Sequence, residues 1–195
     1  MVHELQNLAD YYMDLHAGDT SERVMPFVYF PGSAKEEVVE QSLLMAKATG
    51  LKIRARSSST TGAYGCAAVH GIPSLLIERG GGGVFTREEV ELYKQEVKNV
   101  LIHLKVSKGE AFEHPWIQQE VRRAVYVEAE QNGFWYPAYA AGDTFSKGDL
   151  LGEIRDVWGL LLEAYYAEFD GIVLYQTVGM GVKLGDPLIA YGLPE

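Results

Sequence analysis

Two short apolar runs in this chain each end in a chemically capable side chain with glycine close behind. The first, Tyr11-Tyr12-Met13-Asp14-Leu15-His16-Ala17-Gly18, closes on Asp-x-His-x-Gly, and the second, Ile72-Pro73-Ser74-Leu75-Leu76-Ile77, closes on Glu78 and then Gly80 to Gly83. Runs of this length and composition read as buried strands, and in open α/β sheets ligands bind at the carboxyl ends of strands. The expected fold therefore delivers His16 and Glu78 to one sheet edge. An imidazole there can hold a zinc ion, and a carboxylate can take a proton from metal-bound water. Each residue also has a plain structural reading, His16 as a hydrogen-bonded core histidine and Glu78 as a loop cap.

The surrounding sequence alternates strands with helices. Phe27-Val28-Tyr29-Phe30 reads as a strand, with Pro26 and Pro31-Gly32 as its breakers. Ala34 to Thr49 reads as a helix, because Val39, Leu43 and Ala46 repeat at helical spacing ahead of Gly50. Lys52 to Ala55 suggests another strand, and Thr61 to His70 a short helix. Thr86-Arg87-Glu88-Glu89 is a capping box, and Val90, Tyr93, Val97, Leu101 and Leu104 then form an apolar stripe. Leu5, Leu8 and Ala9 have helical spacing just before the first strand, which suggests the tail of a helix and further sequence upstream.

Beyond about Lys105 the character changes. His114-Pro115-Trp116 looks like a connector, and from Arg123 helical periodicity disappears. Gly142 to Ile154 resembles Gly179 to Ile189, each copy giving a turn, a Lys-Gly-Asp or Lys-x-Gly-Asp corner and an apolar strand. Glycine supplies positive φ at such corners, and Asp can bond the turn backbone. The expected organisation is a partial α/β domain with a mixed sheet over 1–110, a connector over 111–122, and a small all-β barrel-sandwich domain over 123–195. Biotinyl and lipoyl carriers of that shape need a lysine at the tip of the hairpin between the copies. Arg155-Asp156-Val157-Trp158-Gly159 has none, so the module reads as structural.

Composition narrows the partners. The 195 residues suffice for one large or two small domains. A formal charge of -10 disfavours nucleic acid and anionic membrane surfaces. There is no signal-peptide pattern and no apolar stretch of membrane-spanning length. The single cysteine, Cys66, excludes an intrachain disulfide and fits a cytoplasmic protein; in Gly65-Cys66-Ala67-Ala68 it reads as a small packed residue.

Asp14-Leu15-His16-Ala17-Gly18, then Pro26-Phe27-Val28, then Gly71-Ile72-Pro73 leading to Glu78 and Gly80, then a barrel-like module, resembles the succinylglutamate desuccinylase/aspartoacylase family. The resemblance implies a zinc carboxypeptidase-like domain that hydrolyses the amide bond of N-acyl amino acids, with His16 as a zinc ligand and Glu78 as the general base. The family's other two zinc ligands, a His and a Glu, stand upstream of the aspartate-leucine-histidine strand. Only fifteen residues precede His16 here, and His3-Glu4 has the wrong spacing for those ligands. The chain is thus read as the C-terminal two-thirds of such a protein, with an incomplete zinc site and, on its own, little or no activity. The competing expectation is a non-catalytic remnant serving structure or assembly. An open sheet edge where upstream strands would pack leads to the further expectation of a homo-oligomer.

Asp14, two residues before His16 on an extended strand, can bond the imidazole from behind the metal, or else bond the strand-end backbone. Arg23, Arg54, Arg56 and Arg79 are candidates for gripping an anionic substrate. His70 stands at the far end of its strand from Glu78 and reads as structural. His103 and His114 lack a partner at ligand spacing, and Tyr64 reads as a packing residue.

Overall fold

The computed structural model describes residues 8–195. His3-Glu4 and most of the expected helix tail lie outside them; Leu8 and Ala9 are not helical. The described chain forms two compact units. One comprises 8–16, Pro26–Arg79 and Thr86–Glu120, the other Ala17–Met25, Gly80–Phe85 and Val121–Glu195. The units are interleaved along the chain, whereas the sequence suggested consecutive domains: 17–25 and 80–85 go with the C-terminal residues. They are the segments that follow His16 and Arg79.

The first unit is mixed α/β. Its strands are β1 (Tyr12–His16), the later part of β2 (Glu22–Pro31), β3 (Ile53–Ser57) and β4 (Ser74–Gly81), in the order β1-β4-β2-β3. β1 runs parallel to β4 and β2 parallel to β3. Beyond Arg79, Gly82 donates its N–H to the Glu22 carbonyl at 2.7 Å, so the carboxyl end of β4 meets the amino end of β2. The sheet is therefore mixed. Pro26 does not break β2 as its residue type suggested. On its β3 side the parallel ladder begins only at Phe27, so that ladder does not need the missing N–H.

Three helices of the described residues pack on this sheet: α1 (Glu36–Ala48), α2 (Gly62–Val69) and α3 (Arg87–His103). Glu36 and Glu37 open α1 and Lys47 closes it, each complementing the helix dipole. Ser42 on α1 is fully buried; its hydroxyl donates to the Val38 carbonyl and accepts the Ser74 N–H at 2.9 Å, which fixes the start of β4. Thr86 and Glu89 form the capping box of α3. The core gathers Val28, Phe30, Met45, Leu75, Ile77 and Val100.

The stripe on α3 is only partly core. Glu96, Asn99 and Val100 are the buried positions, while Val90, Tyr93, Val97 and Leu101 join Leu15 of β1 around an open apolar groove of about 410 Å³ rimmed by Lys94 and Lys98. The sequence stripe missed the buried polar face because Glu96 and Asn99 have specific partners. Asn99 holds both backbone groups of Phe112, at 2.9 and 3.0 Å. The segment after α3 is anchored again by Trp116, whose indole donates to the Gly50 carbonyl at 2.8 Å. Gly50 has φ +77, and a Cβ there would stand 2.2 Å from the His114 ring.

The second unit is all β among its described residues. β5 (Gln119–Glu128), β12 (Pro187–Pro194), β10 (Gly171–Thr177) and β7 (Thr144–Phe145) are neighbours in that order, and the first residues of β2 pair with β10. A four-stranded sheet has the order β11 (Gly181–Val182), β6 (Gly133–Pro137), β8 (Leu150–Arg155), β9 (Leu161–Tyr166). Trp135, Leu151, Ile154, Leu188 and Tyr191 fill the core.

The repeated corners are superimposable in their bonding. Ser146 and Lys183 donate their N–H groups to Asp149 and Asp186 carboxylates, each at 2.8 Å, with Gly148 and Gly185 at positive φ. Ala140-Ala141-Gly142-Asp143 makes the same turn, Ala140 donating to Asp143 at 2.8 Å. The hairpin tip is closed by Asp156, which accepts the N–H groups of Trp158 and Leu160. No described helix is long and apolar enough to cross a membrane.

Candidate active site

His16 and Glu78 are register partners in the parallel β1–β4 ladder. Paired residues in a parallel sheet project side by side, so both side chains leave the same face at the carboxyl ends of their strands. His16 Nδ1 lies 3.8 Å from Glu78 Oε1. Strand alternation puts Asp14 on that face too, and its Oδ1 is 3.2 Å from His16 Nε2. The imidazole thus sits between two carboxylates, its side chain 50% exposed against 16% for Asp14 and 15% for Glu78. β4 starts later than the sequence suggested and runs through Glu78 to Gly81, so Glu78 lies within a strand and does not cap a loop.

Two α3 residues brace this edge. The Tyr93 hydroxyl donates toward the carbonyls of His16 and Ile77, both at 2.9 Å. Burial, and then the charge of Glu78, push the Tyr93 phenol above its ordinary range, so it stays a donor. Arg79, the residue after Glu78, pairs with the buried Glu96 through both Nε and Nη2. Burial raises the Glu96 carboxyl, and the Arg79 guanidinium holds it down against that.

The arginines expected as anion grips are mostly engaged. Arg54 and Arg56 both bond Glu120, at 3.1 and 3.3 Å, and Arg79 is committed to Glu96. Arg23 lies against Gly82, whose missing side chain leaves it room: a Cβ there would stand 2.9 Å from Arg23 Nε. His70 donates Nδ1–H to the Cys66 carbonyl at 2.8 Å and closes α2. Tyr64 is buried and stacks on Tyr29. His103 ends α3 and is exposed. Sequence reasoning missed the roles of Tyr93 and Glu96, reading the first as one more apolar stripe residue.

The described residues do not by themselves fit a zinc ion. Among them no three His, Cys, Asp or Glu side chains converge so as to hold a metal, and both ring nitrogens of the one available imidazole already face carboxylates. Catalytic zinc sites use three protein ligands. What the cluster offers is a histidine between two carboxylates on one strand-end platform.

No family model matches the chain. It is 26% identical over 189 residues to N-alpha-acetyl-L-2,4-diaminobutyric acid deacetylase of Halomonas elongata, covering 93% of this chain and 55% of the relative. A succinylglutamate desuccinylase/aspartoacylase from Rhodobacter sphaeroides superposes with a TM-score of 0.84 at 25% identity, over 100% of this chain and 61% of that one. The apo structure of the ectoine utilization protein EutE (DoeB) from Ruegeria pomeroyi gives 0.87 at 23%, over 98% of this chain and 62% of that one, a likeness of fold. The chain spans little more than half the length of the curated relative it matches.

Proposed function

Taking as premise a chain with the fold of the succinylglutamate desuccinylase/aspartoacylase proteins, we propose that it carries the acid–base half of an amide hydrolase acting on N-acyl amino acids. The Halomonas relative makes an N-acetylated diamino acid the first substrate to try. The observation that carries this reading is the pairing of His16 with Glu78 at adjacent strand ends, Asp14 standing against the imidazole. Glu78 is half-buried beside an open face, placed to accept a proton from an attacking water and pass it to the leaving amine. Asp14 orients His16 through Nε2. Zinc, in a zinc carboxypeptidase-like site with His16 as one ligand, is the metal that the family resemblance implies. The described residues leave that ligand set short.

A second reading, a non-catalytic protein that keeps the platform for structure or assembly, is favoured by that shortage of ligands. The two separate on one experiment. The chain is assayed for acetate release from N-acetyl-2,4-diaminobutyrate with zinc added in excess, beside Glu78→Gln and His16→Ala. The proposal expects slow hydrolysis, reduced about 10²–10⁴-fold in Glu78→Gln, and zinc binding that weakens in His16→Ala. Hydrolysis at the buffer rate together with zinc binding indifferent to His16 establishes the non-catalytic reading.

A further inference from the structure

Among the described residues, one half-buried arginine holds no carboxylate. Arg54, Arg79 and Arg155 are half-buried too, and each is bonded to a glutamate: Glu120, Glu96 and Glu153. Arg23 makes no hydrogen bond or ion pair with the described residues. A guanidinium taken partly out of water normally has a partner. The acids beside Arg23 in sequence are spent or turned away. Asp19 Oδ1 accepts the N–H and the hydroxyl of Ser21, at 2.6 and 2.9 Å. Glu22 leaves the opposite face of β2 by alternation. Burial, and then the charge of Asp19, raise the Glu22 carboxyl, with no lowering by Arg23.

The second unit keeps a place for this guanidinium. A Cβ on Gly82 would stand 2.9 Å from Arg23 Nε and 3.5 Å from Cζ. Gly82 is itself pinned, its N–H donating to the carbonyls of Asp19 and Glu22, each at 2.7 Å. Across the β2–β10 ladder Arg23 is paired with Gln176. Directly opposed residues of an antiparallel ladder project side by side, their Cβ atoms about 4.5–5.5 Å apart. Gln176 is 8% exposed, and its Oε1 is buried with no donor. An unmade bond of that kind costs stability until something completes it. Thr177, the next residue, shows the ordinary outcome, its hydroxyl donating to the Pro187 carbonyl at 2.6 Å. Arg23, Gly82 and Gln176 all belong to the second unit.

We propose that Arg23 and Gln176 form a carboxylate-binding site of the second unit, which takes an N-acyl amino acid by its α-carboxylate and the amide N–H beside it. The guanidinium fork gives the carboxylate two parallel N–H donors. The ligand N–H, carried on the same carbon as the carboxylate, donates to Gln176 Oε1 and completes its bond. A monocarboxylate fits this place better than a phosphate, because a net charge of -10 repels a dianion more strongly. The choice of ligand rests on the reading of the chain as one that acts on N-acyl amino acids. Binding is measured without zinc or turnover, so an absence of hydrolysis leaves this site standing.

NMR titration of the full chain with N-acetylglycine, the smallest molecule that carries both groups, tests this. The Gly82 amide and Arg23 Nε–H resonances are expected to move and to saturate in the millimolar range, as befits a site of few bonds. N-acetylglycinamide lacks the carboxylate and acetate lacks the N–H; each is expected to bind about tenfold more weakly or worse. Arg23→Gln should remove the saturable shift at Gly82, and Arg87→Gln, at an exposed position, should leave it. Gln176→Leu should erase the preference for N-acetylglycine over acetate while carboxylate binding persists. No saturable shift up to about 50 mM, well past that range, overturns the proposal. So do equal shifts with N-acetylglycinamide, a comparison made on the parent chain alone, and binding unchanged in Arg23→Gln or a preference unchanged in Gln176→Leu.

Discussion

The Tyr93 hydroxyl donates to the His16 carbonyl at 2.9 Å, with the Ile77 carbonyl equally close. One proton from α3 thereby ties together the ends of β1 and β4, where the side chains of His16 and Glu78 depart. Tyr93→Phe keeps the ring in its place and removes only this tie. It is expected to cost about 0.5–1.5 kcal/mol in urea unfolding and to move the His16 ring resonances in NMR spectra. His16 resonances identical in the two proteins would show that the tie does not set the platform.

The Arg79–Glu96 pair sits directly behind Glu78 and is nearly dry, with side chains 10% and 2% exposed. Arg79→Met leaves a carboxylate buried without its partner, and a loss of about 3–5 kcal/mol is expected. Adding Glu96→Leu should recover most of it. The pH dependence has a definite sign. Burial already raises Glu96, and without Arg79 it rises further. An acid raised in the folded state binds protons that the unfolded chain releases, so the Arg79→Met deficit shrinks as pH falls from neutrality toward the ordinary carboxylate range. A deficit constant with pH would place the cost in lost packing.

Much of this architecture is legible in the sequence, and what is hidden has a common cause. Apolar period and glycine punctuation announce the strands, the Thr86 cap and the paired Asp corners, since those depend on neighbours within a few residues. The closeness of His16 and Glu78 is also foreseeable, because both end buried strands. Their direct register depends on how distant strands pair, which no local pattern encodes. Glu96 and Asn99 face inward against their polarity because Arg79 and Phe112 meet them there. Arg54 and Arg56 look available in sequence and are spent on Glu120, more than sixty positions away. The interleaving of 17–25 and 80–85 with the C-terminal unit is hidden for the same reason.

His114 is expected to make the first unit weaken in mild acid. Its ring stacks on Trp116 at 4.4 Å and meets Phe112 edge-on at 4.8 Å, and its Nε2 is buried without a partner. Burial, and then the positive charge of Arg79, hold its pKa below the ordinary value. A histidine lowered in the folded state leaves the unfolded chain binding more protons, so stability falls as pH drops below about 6.5 and levels off under the folded-state pKa. His114→Leu should flatten that slope when urea midpoints are compared at several pH values. An equally steep slope in the variant would assign it to other groups.

Gly152 is expected to resist replacement for lack of space, not for its backbone conformation. It is buried in β8 at ordinary φ, so the constraint is space alone: a Cβ would stand 2.2 Å from Cη2 of Trp135. Trp135 is itself 2% exposed, packed edge-on against Tyr165, and cannot swing aside without opening the core. Gly152→Ala should therefore cost about 1–3 kcal/mol, the range for adding a methyl to a filled core. Gly181 has nothing within 4 Å of the corresponding position, and Gly181→Ala should fall within about 0.5 kcal/mol of the parent. Fluorescence of the three-tryptophan chain during urea unfolding reads both. Equal midpoints for the two variants would mean that the Trp135 ring yields, and that the core beneath β8 is looser than its burial implies.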